Sequence, residues 1–471
     1  MKKKKIFILL PDGVGLRNFA FTSFVAIGKK LGWEVIFWNN TPFDLKKLNY
    51  KEIKLNGKPR AKTDLIKRAK INMELDHFTK KFNDPVYQDY KFPPSRKGLK
   101  NKVKNVLVSV YCRLFNGAEG LKKIRSKLQD SERKGKYYTS CIEILKTEKP
   151  DYIFCTNQRS LNAIAPLTAA RDLGIPNGSF IFSWDNLPKA TLIVEPDTYF
   201  VWSENMKREL LDYYPHIDRS QIAVTGTPQF EPHFEEKFLK PKEVFYKENN
   251  LDKEKEYLCF SGDDITTSPD DPQYLQDVAE SVESLNKQGY NLGIIFRRCP
   301  VDFSDRYDMV LKKYKNLIIP LEPKWKKMGE DWNKILPTED DQELLINTIF
   351  HTSAVINVGS SMVFDFALFG KPCLFINYDV PDQQRENWST SKIYKFVHFR
   401  TMPAKDAVIF LNSKEEVAEK ILQALHTPER FAEKAKKWFY IINKESAEHA
   451  SERIWKKINA VYKKEMSPTY H

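Results

Sequence analysis

The run Ala354-Val355-Ile356-Asn357-Val358-Gly359-Ser360-Ser361-Met362-Val363-Phe364-Asp365-Phe366-Ala367-Leu368-Phe369-Gly370-Lys371-Pro372 passes from an apolar segment, through a glycine and two serines, into a helical pattern closed by a second glycine. A short apolar run bounded by turn residues suits a buried parallel strand, and a Gly-x-Pro exit suits a helix that stops before the next strand. The succession is therefore strand, glycine turn, helix, glycine cap, strand. Gly359 lets backbone approach a ligand closely. Ser360 and Ser361 can cap the helix and offer hydroxyls where unpaired N–H groups favour an anion, so a diphosphate suits the turn. Asp365, about one turn into the helix among apolar neighbours, needs partners. Ribose hydroxyls would supply them, and a structural or solvent-facing carboxylate is the alternative.

Outward from this run, short apolar segments alternate with helical patterns along the whole chain, the texture of doubly wound α/β architecture. It occurs twice. The first set of expected strands is Lys5 to Leu10, Glu34 to Trp38, Tyr152 to Cys155, Ser179 to Ser183, Thr198 to Trp202 and Ile222 to Val224. The second is Tyr257 to Ser261, Leu292 to Phe296, Leu317 to Pro320, Ala354 to Val358, Cys373 to Asn377 and Val408 to Phe410. Phe238 to Glu256, rich in Lys, Glu and Asn, reads as the boundary. The expected domains are 1–238, with a basic helical insertion near 91–140, and 255–426. Helices from 427 to 471, broken near Asn443, are expected to pack back on the first domain.

Gly359-Ser360-Ser361 to Asp365, followed by Gly370-Lys371-Pro372, resembles the donor-binding motif of GT-B glycosyltransferases and of their relatives, the UDP-N-acetylglucosamine 2-epimerases and CDP-glycerol phosphotransferases. The resemblance implies two Rossmann-like domains facing each other across a cleft, with glycine and serines on the donor phosphates and the acidic residue on the ribose. Members usually carry Glu where Asp365 stands. Ile294-Ile295-Phe296-Arg297-Arg298-Cys299-Pro300, at a strand's carboxyl end, is similar to the Arg/Lys-x-His-Pro run of the same families. That match puts Arg297 on the diphosphate, with Arg298 as a second candidate and Cys299 in place of His. A surface salt bridge is the alternative. Ser261-Gly262-Asp263-Asp264 resembles the loop facing the donor phosphates, and Ile335 to Thr338 the segment that holds the nucleobase.

In the first half, Pro11-Asp12-Gly13-Val14-Gly15 lacks the third glycine of a dinucleotide fingerprint, and Asn39-Asn40 stand where its acidic residue would be. By the resemblance, this loop, with Gly13, contacts acceptor or donor phosphate. Ser183-Trp184-Asp185-Asn186 looks like a turn of some polysaccharide-building GT-B enzymes, which places Trp184 and Asn186 on the acceptor. Asp185 and Asp12 are rival candidates for the base that takes a proton from an acceptor hydroxyl. A turn-forming Asp is the plainer reading of each. The eight histidines show no metal spacing and no Asp-x-Asp triplet occurs, so neither metal nor other cofactor is expected beyond the nucleotide-sugar substrate.

The net charge of +14 is concentrated: between Lys91 and Ser140 stand fourteen basic and three acidic residues. Leu99, Val103, Val106, Val110 and Leu114 recur at helical spacing, as do Leu121, Ile124 and Leu128. Two amphipathic helices ringed by lysines suit an anionic lipid surface, and the competing reading is a stripe packed on the core under solvated lysines. No nucleic-acid-binding signature accompanies the segment, so nucleic acid is not an expected partner. Met1 to Leu10 is too short in its apolar part for a secretory signal, and the six scattered cysteines read as reduced thiols. A cytoplasmic protein follows, with the inner membrane face as a peripheral site.

The expectation is a metal-independent glycosyltransferase of cell-surface polysaccharide biosynthesis acting on a glycan or lipid-linked acceptor, inverting if attack is in line. A CDP-polyol phosphotransferase and a sugar-nucleotide epimerase share the fold. A noncatalytic polyanion binder is the alternative of another class.

Overall fold

The computed structural model describes residues 3–92, 98–329 and 334–466, so positions 93–97 of the basic insertion lie outside the described residues. The chain forms two compact units: unit 1 runs to Gln229 and resumes at Asn443, and unit 2 is Phe230–Ile442.

Among the described residues of unit 1, seven strands form one parallel sheet: β1 (Lys4–Leu10), β2 (Trp33–Asn39), β3 (Lys51–Lys54), β4 (Tyr152–Cys155), β5 (Asn177–Phe180), β6 (Thr198–Val201) and β7 (Ile222–Val224). Their order is β3-β2-β1-β4-β5-β6-β7. Ile6 through Leu10 are fully buried, as a strand covered by helices on both faces must be. β3 escapes sequence reading because Lys-Glu-Ile-Lys has no apolar run, and an edge strand needs none.

Unit 2 repeats the plan with β8 (Glu256–Ser261), β9 (Leu292–Arg297), β10 (Ile318–Pro320), the short hairpin β11 (Lys326–Lys327) and β12 (Ile335–Leu336), then β13 (Val355–Asn357), β14 (Cys373–Ile376) and β15 (Ile409–Leu411). Six of these make a parallel sheet ordered β10-β9-β8-β13-β14-β15.

The boundary expected over Phe238 to Glu256 lies earlier, at Gln229–Phe230. The Lys242–Glu248 helix belongs to unit 2, held by buried Phe245 and Tyr246. The C-terminal helices also divide. Pro428–Ile442 stays in unit 2, where Trp438 meets Phe364 edge-on at 4.9 Å. Ala450–Met466 closes unit 1: Trp455 stacks on Phe24 at 5.0 Å, and its Nε1 donates to the Phe24 carbonyl at 2.7 Å. Truncating such a buried tryptophan to alanine costs roughly 3–5 kcal/mol, so this helix is part of the unit 1 fold.

The basic insertion forms helices Leu99–Leu114 and Gly117–Arg133. Leu121, Ile124 and Leu128 of the second are buried against Ala61–Phe82, whereas Leu99, Val103, Val106, Val110 and Leu114 of the first are exposed. Among the described residues, no helix is long and apolar enough to cross a membrane.

Candidate functional site: two switch points

In a doubly wound sheet, ligands bind beyond the carboxyl ends of the strands, where the order reverses and neighbouring loops diverge. Unit 2 has this point between β8 and β13, which pair in parallel through Val355–Cys259 and Ile356–Phe260. The two loops leaving these strands are Ser261-Gly262-Asp263 and Gly359-Ser360-Ser361.

Gly359 has φ +65°, and a Cβ there would lie 3.0 Å from Phe399 and 3.1 Å from Ile393. Conformation and space thus both require glycine. Asn357, fully buried, accepts the Ser360 N–H at 2.8 Å and fixes the turn. Gly359 and Ser360 are half-buried and Ser361 is exposed, so the tip is reachable before the Met362–Leu368 helix begins. Across from it, a Cβ on Gly262 would lie 2.7 Å from the Tyr307 hydroxyl. Ser261 and Gly262 are buried.

Behind this loop lies an acidic couple. The Asp263 N–H donates to Asp271 at 2.6 Å, and Asp271 also accepts from Ser268 (2.5 Å) and the Tyr307 hydroxyl (3.1 Å). Burial pushes Asp271 up to about 6. Burial, then the charges of Asp271 and Asp264, push Asp263 well above the carboxylate range. Arg306 bonds Asp302 at 2.8 Å and the Asp263 carbonyl at 2.5 Å, tying the loop to the next one.

The charged residues expected on the donor already have protein partners. Arg297, 5% exposed, gives Nη2 to both oxygens of Asp341 at 2.9 Å. Asp341 also accepts Lys324 N–H at 2.8 Å and Trp325 Nε1 at 2.6 Å. Arg297 Nη1 has no hydrogen-bond partner among the described residues. Arg298 turns onto its own loop, donating to the Ser304 carbonyl at 3.0 Å and pairing with Glu322 at 3.3 Å. Burial pushes the neighbouring Cys299 thiol up to about 12, so it stays protonated. Thr338 caps the Glu339–His351 helix, its hydroxyl accepting Asp341 N–H at 3.1 Å. Asp365 is 5% exposed, and the partner it needed is His233, with Nε2 at 2.8 Å from Oδ1. Lys371 donates to the carbonyls of Ile349, Phe350 and Thr352 at 2.5–2.7 Å, closing that helix's carboxyl end.

Unit 1 has its reversal between β1 and β4, joined through Ile6–Tyr152 to Leu9–Cys155. Here Asp12, 7% exposed, accepts Asn157 Nδ2 at 2.9 Å and Val14 N–H at 3.3 Å. Burial raises its carboxyl above the ordinary range, against the opposing pull of Asn157, Ser160 and Arg159. The Gly13 carbonyl accepts Leu16 N–H at 3.2 Å and starts the Gly15–Phe19 helix. Half-buried Lys67, on the Ala61–Phe82 helix, is pushed down to about 8 by burial and by Arg159.

Gln158, fully buried, donates to Asn186 at 2.8 Å and accepts Phe182 N–H at 2.9 Å, locking the loop after β4 to the one after β5. Asn186 is buried in that lock and donates to Asp185 at 2.9 Å, so it holds the turn and is not offered to an acceptor. Asp185 is ion-paired with Lys189, and Trp184 beside it is half-buried. Asn157, Gln158 and His233 escaped sequence reading because the side chain each engages is distant in the chain.

No protein-family model matches this chain, and no curated protein matches it in sequence. Solved structures do resemble it along nearly its whole length. They include a glycosyltransferase of Rickettsia africae ESF-5 (11% identity, 100% of both chains, TM-score 0.51). A Listeria monocytogenes protein described as a UDP-N-acetylglucosamine 2-epimerase is similar at 10% identity over 98% of this chain and 97% of that one, with TM-score 0.54. The S. aureus MnaA–UDP complex follows at 12%, 98% and 97%, with TM-score 0.50. The fold is GT-B-like. At such identities the likeness is one of architecture, and the chemistry rests on the residues at the two switch points.

Proposed function

We propose that the protein is an enzyme that takes a sugar from a nucleotide-sugar donor held by unit 2 and transfers it to a hydroxyl of a glycan or lipid-linked acceptor in cell-surface polysaccharide assembly. The observation that carries this reading is the glycine turn at the unit 2 reversal: Gly359 at φ +65°, with an accessible Ser360-Ser361 tip, on a fold similar to those of the UDP-bound S. aureus protein and the Rickettsia africae glycosyltransferase. The backbone and hydroxyls of 359–361 cradle the diphosphate, facing Ser261 and Gly262, and Thr338 lies on the nucleobase side. Arg297 Nη1 is the donor left for the departing phosphate oxygen. Asp365 acts through His233 as an anchor of the helix behind the turn.

In the transfer, the acceptor oxygen bonds to the anomeric carbon, the bond from that carbon to the diphosphate breaks, and the acceptor proton goes to a carboxylate of unit 1. Asp12 is the better base than Asp185, because burial has already raised its proton affinity while Asp185 is committed to Lys189. Fixed donors that meet the charge developing on the nucleoside diphosphate supply the electrostatic stabilisation, with inversion the outcome of in-line attack.

A second reading, epimerisation of the donor sugar, is favoured by the 2-epimerases among the structural neighbours. Phosphotransfer from a CDP-polyol is weakened by Cys299, a neutral, half-buried thiol where those enzymes use an imidazole. Thermal-shift screening against UDP-, GDP-, dTDP- and CMP-sugars tests nucleotide use. One class at a hundredfold excess over Kd should stabilise the fold by about 2.7 kcal/mol. Failure of all of them would overturn the proposal. Incubating the stabilising donor without acceptor then separates the chemistries by NMR: an epimerised sugar replaces transfer with the second reading.

A further inference from the structure

The two helices of the basic insertion carry the same pattern and meet opposite fates. Leu121, Ile124 and Leu128 of Gly117–Arg133 are 4%, 0% and 1% exposed, whereas Leu99, Val106 and Leu114 of Leu99–Leu114 are 78%, 62% and 72% exposed. Six of the sixteen large exposed apolar residues among the described residues lie on this one helix. At about 100° per residue they share one face. The opposite face anchors the helix: Val108 is buried in the unit 1 core, and Cys112 Sγ lies 3.7 Å from the Ala69 carbonyl. The outward stripe is therefore presented by a folded, fixed element.

We infer that this stripe is a docking surface for an anionic lipid bilayer, with the helix lying in the interface plane. The charges identify the occupant. From Gly98 to Ala118 stand four basic residues and no acidic one. Lys102 and Arg113 border the stripe on one side, and Lys100 and Lys104 on the other. A bilayer with anionic headgroups takes both parts at once: aliphatic side chains enter the acyl boundary while the basic borders meet phosphates. A second copy of the chain would bring lysine borders against lysine borders. A nucleic acid would use the charges but leave Leu99, Val106 and Leu114 in water, where stacking aromatics would be expected instead.

The test is co-sedimentation of the full chain with vesicles of phosphatidylcholine alone and of equal parts phosphatidylcholine and phosphatidylglycerol. Binding should require the anionic lipid and weaken as salt rises. Val106→Glu with Leu114→Glu should lower the bound fraction about tenfold or more, because each places a charge in the acyl boundary. Lys102→Glu with Arg113→Glu should lower it on anionic vesicles as well. All four positions are exposed, so the melting temperature and the nucleotide-induced shift should stay at wild-type values, which separates this surface from donor binding. Equal binding to both vesicle types, or variants that sediment like wild type, would overturn the inference. So would a dimer that Val106→Glu dissolves, or retention on single-stranded nucleic acid that outcompetes vesicles.

Discussion

In unit 1 the reversal of strand order sets Asp12, at the end of β1, against Asn157 beyond β4; in unit 2 the same topology sets Gly262 beyond β8 near the Gly359 turn beyond β13. The first pair encloses a carboxylate whose proton affinity burial has raised, and the second leaves only the Ser360–Ser361 tip reachable, with Gly262 buried. Topology thus chooses where a ligand edge forms, while local residues choose its charge. On the proposed reading, the acid that exchanges a proton is kept dry, and the diphosphate cradle is built mainly from groups without full charge, its arginine paired with Asp341.

The largest effect should separate the two edges cleanly. Asp12→Asn should reduce kcat by about 10²–10⁴ while leaving nucleotide affinity unchanged, measured by steady-state kinetics beside calorimetry. Loss of nucleotide binding in that variant would show that the edges are not divided as described. Asp341→Ala leaves a buried guanidinium without its carboxylate and should cost about 3–5 kcal/mol in urea unfolding. Replacing Arg297 and Asp341 together by apolar residues should recover most of that stability, yet not nucleotide binding. Gly359→Ala forces a Cβ into a left-handed turn and against Phe399, costing about 1–2 kcal/mol of stability. Nucleotide affinity should fall with it by about tenfold, read by titration, with Asp12 untouched.

A further effect is in pH. Asp271 rises to about 6 in the fold from an ordinary 3.8, so the folded state holds its proton more tightly than the unfolded chain. Its contribution to stability is full below pH 3.8 and is lost as pH climbs through 6, and Asp263 moves in the same direction. Asp271→Asn should flatten the stability profile across that window by up to about 3 kcal/mol. An unchanged slope would place the titration elsewhere.

Most of the architecture was legible because buried parallel strands such as Ile6 to Leu10 and Tyr257 to Ser261 announce themselves as apolar runs. The exceptions are edges and short pairs: β3 buries too little to leave a pattern, and β11 and β12, two residues each, are too short to show one. The Gly359 turn was legible for the same local reason, since strand, turn and helix are contiguous. Arg297, Asn186 and Asp365 were harder. Residue type announces a charge or an amide, but Asp341, Gln158 and His233, which engage them, are each at least 28 residues away in sequence. The basic helices make the same point: Leu99–Leu114 and Gly117–Arg133 both carry an apolar stripe and both pack on Ala61–Phe82, and only the fold decides that the second turns its stripe inward and the first turns it outward.

The most direct test of the nucleotide-cradle claim is backbone hydrogen exchange of the full chain with and without the nucleotide sugar that stabilises it. Slowed exchange at 261–264 and 358–363, with 11–16 unchanged until acceptor is added, is the predicted result. Protection confined to other segments, with 358–363 exchanging at its free rate, would contradict the account.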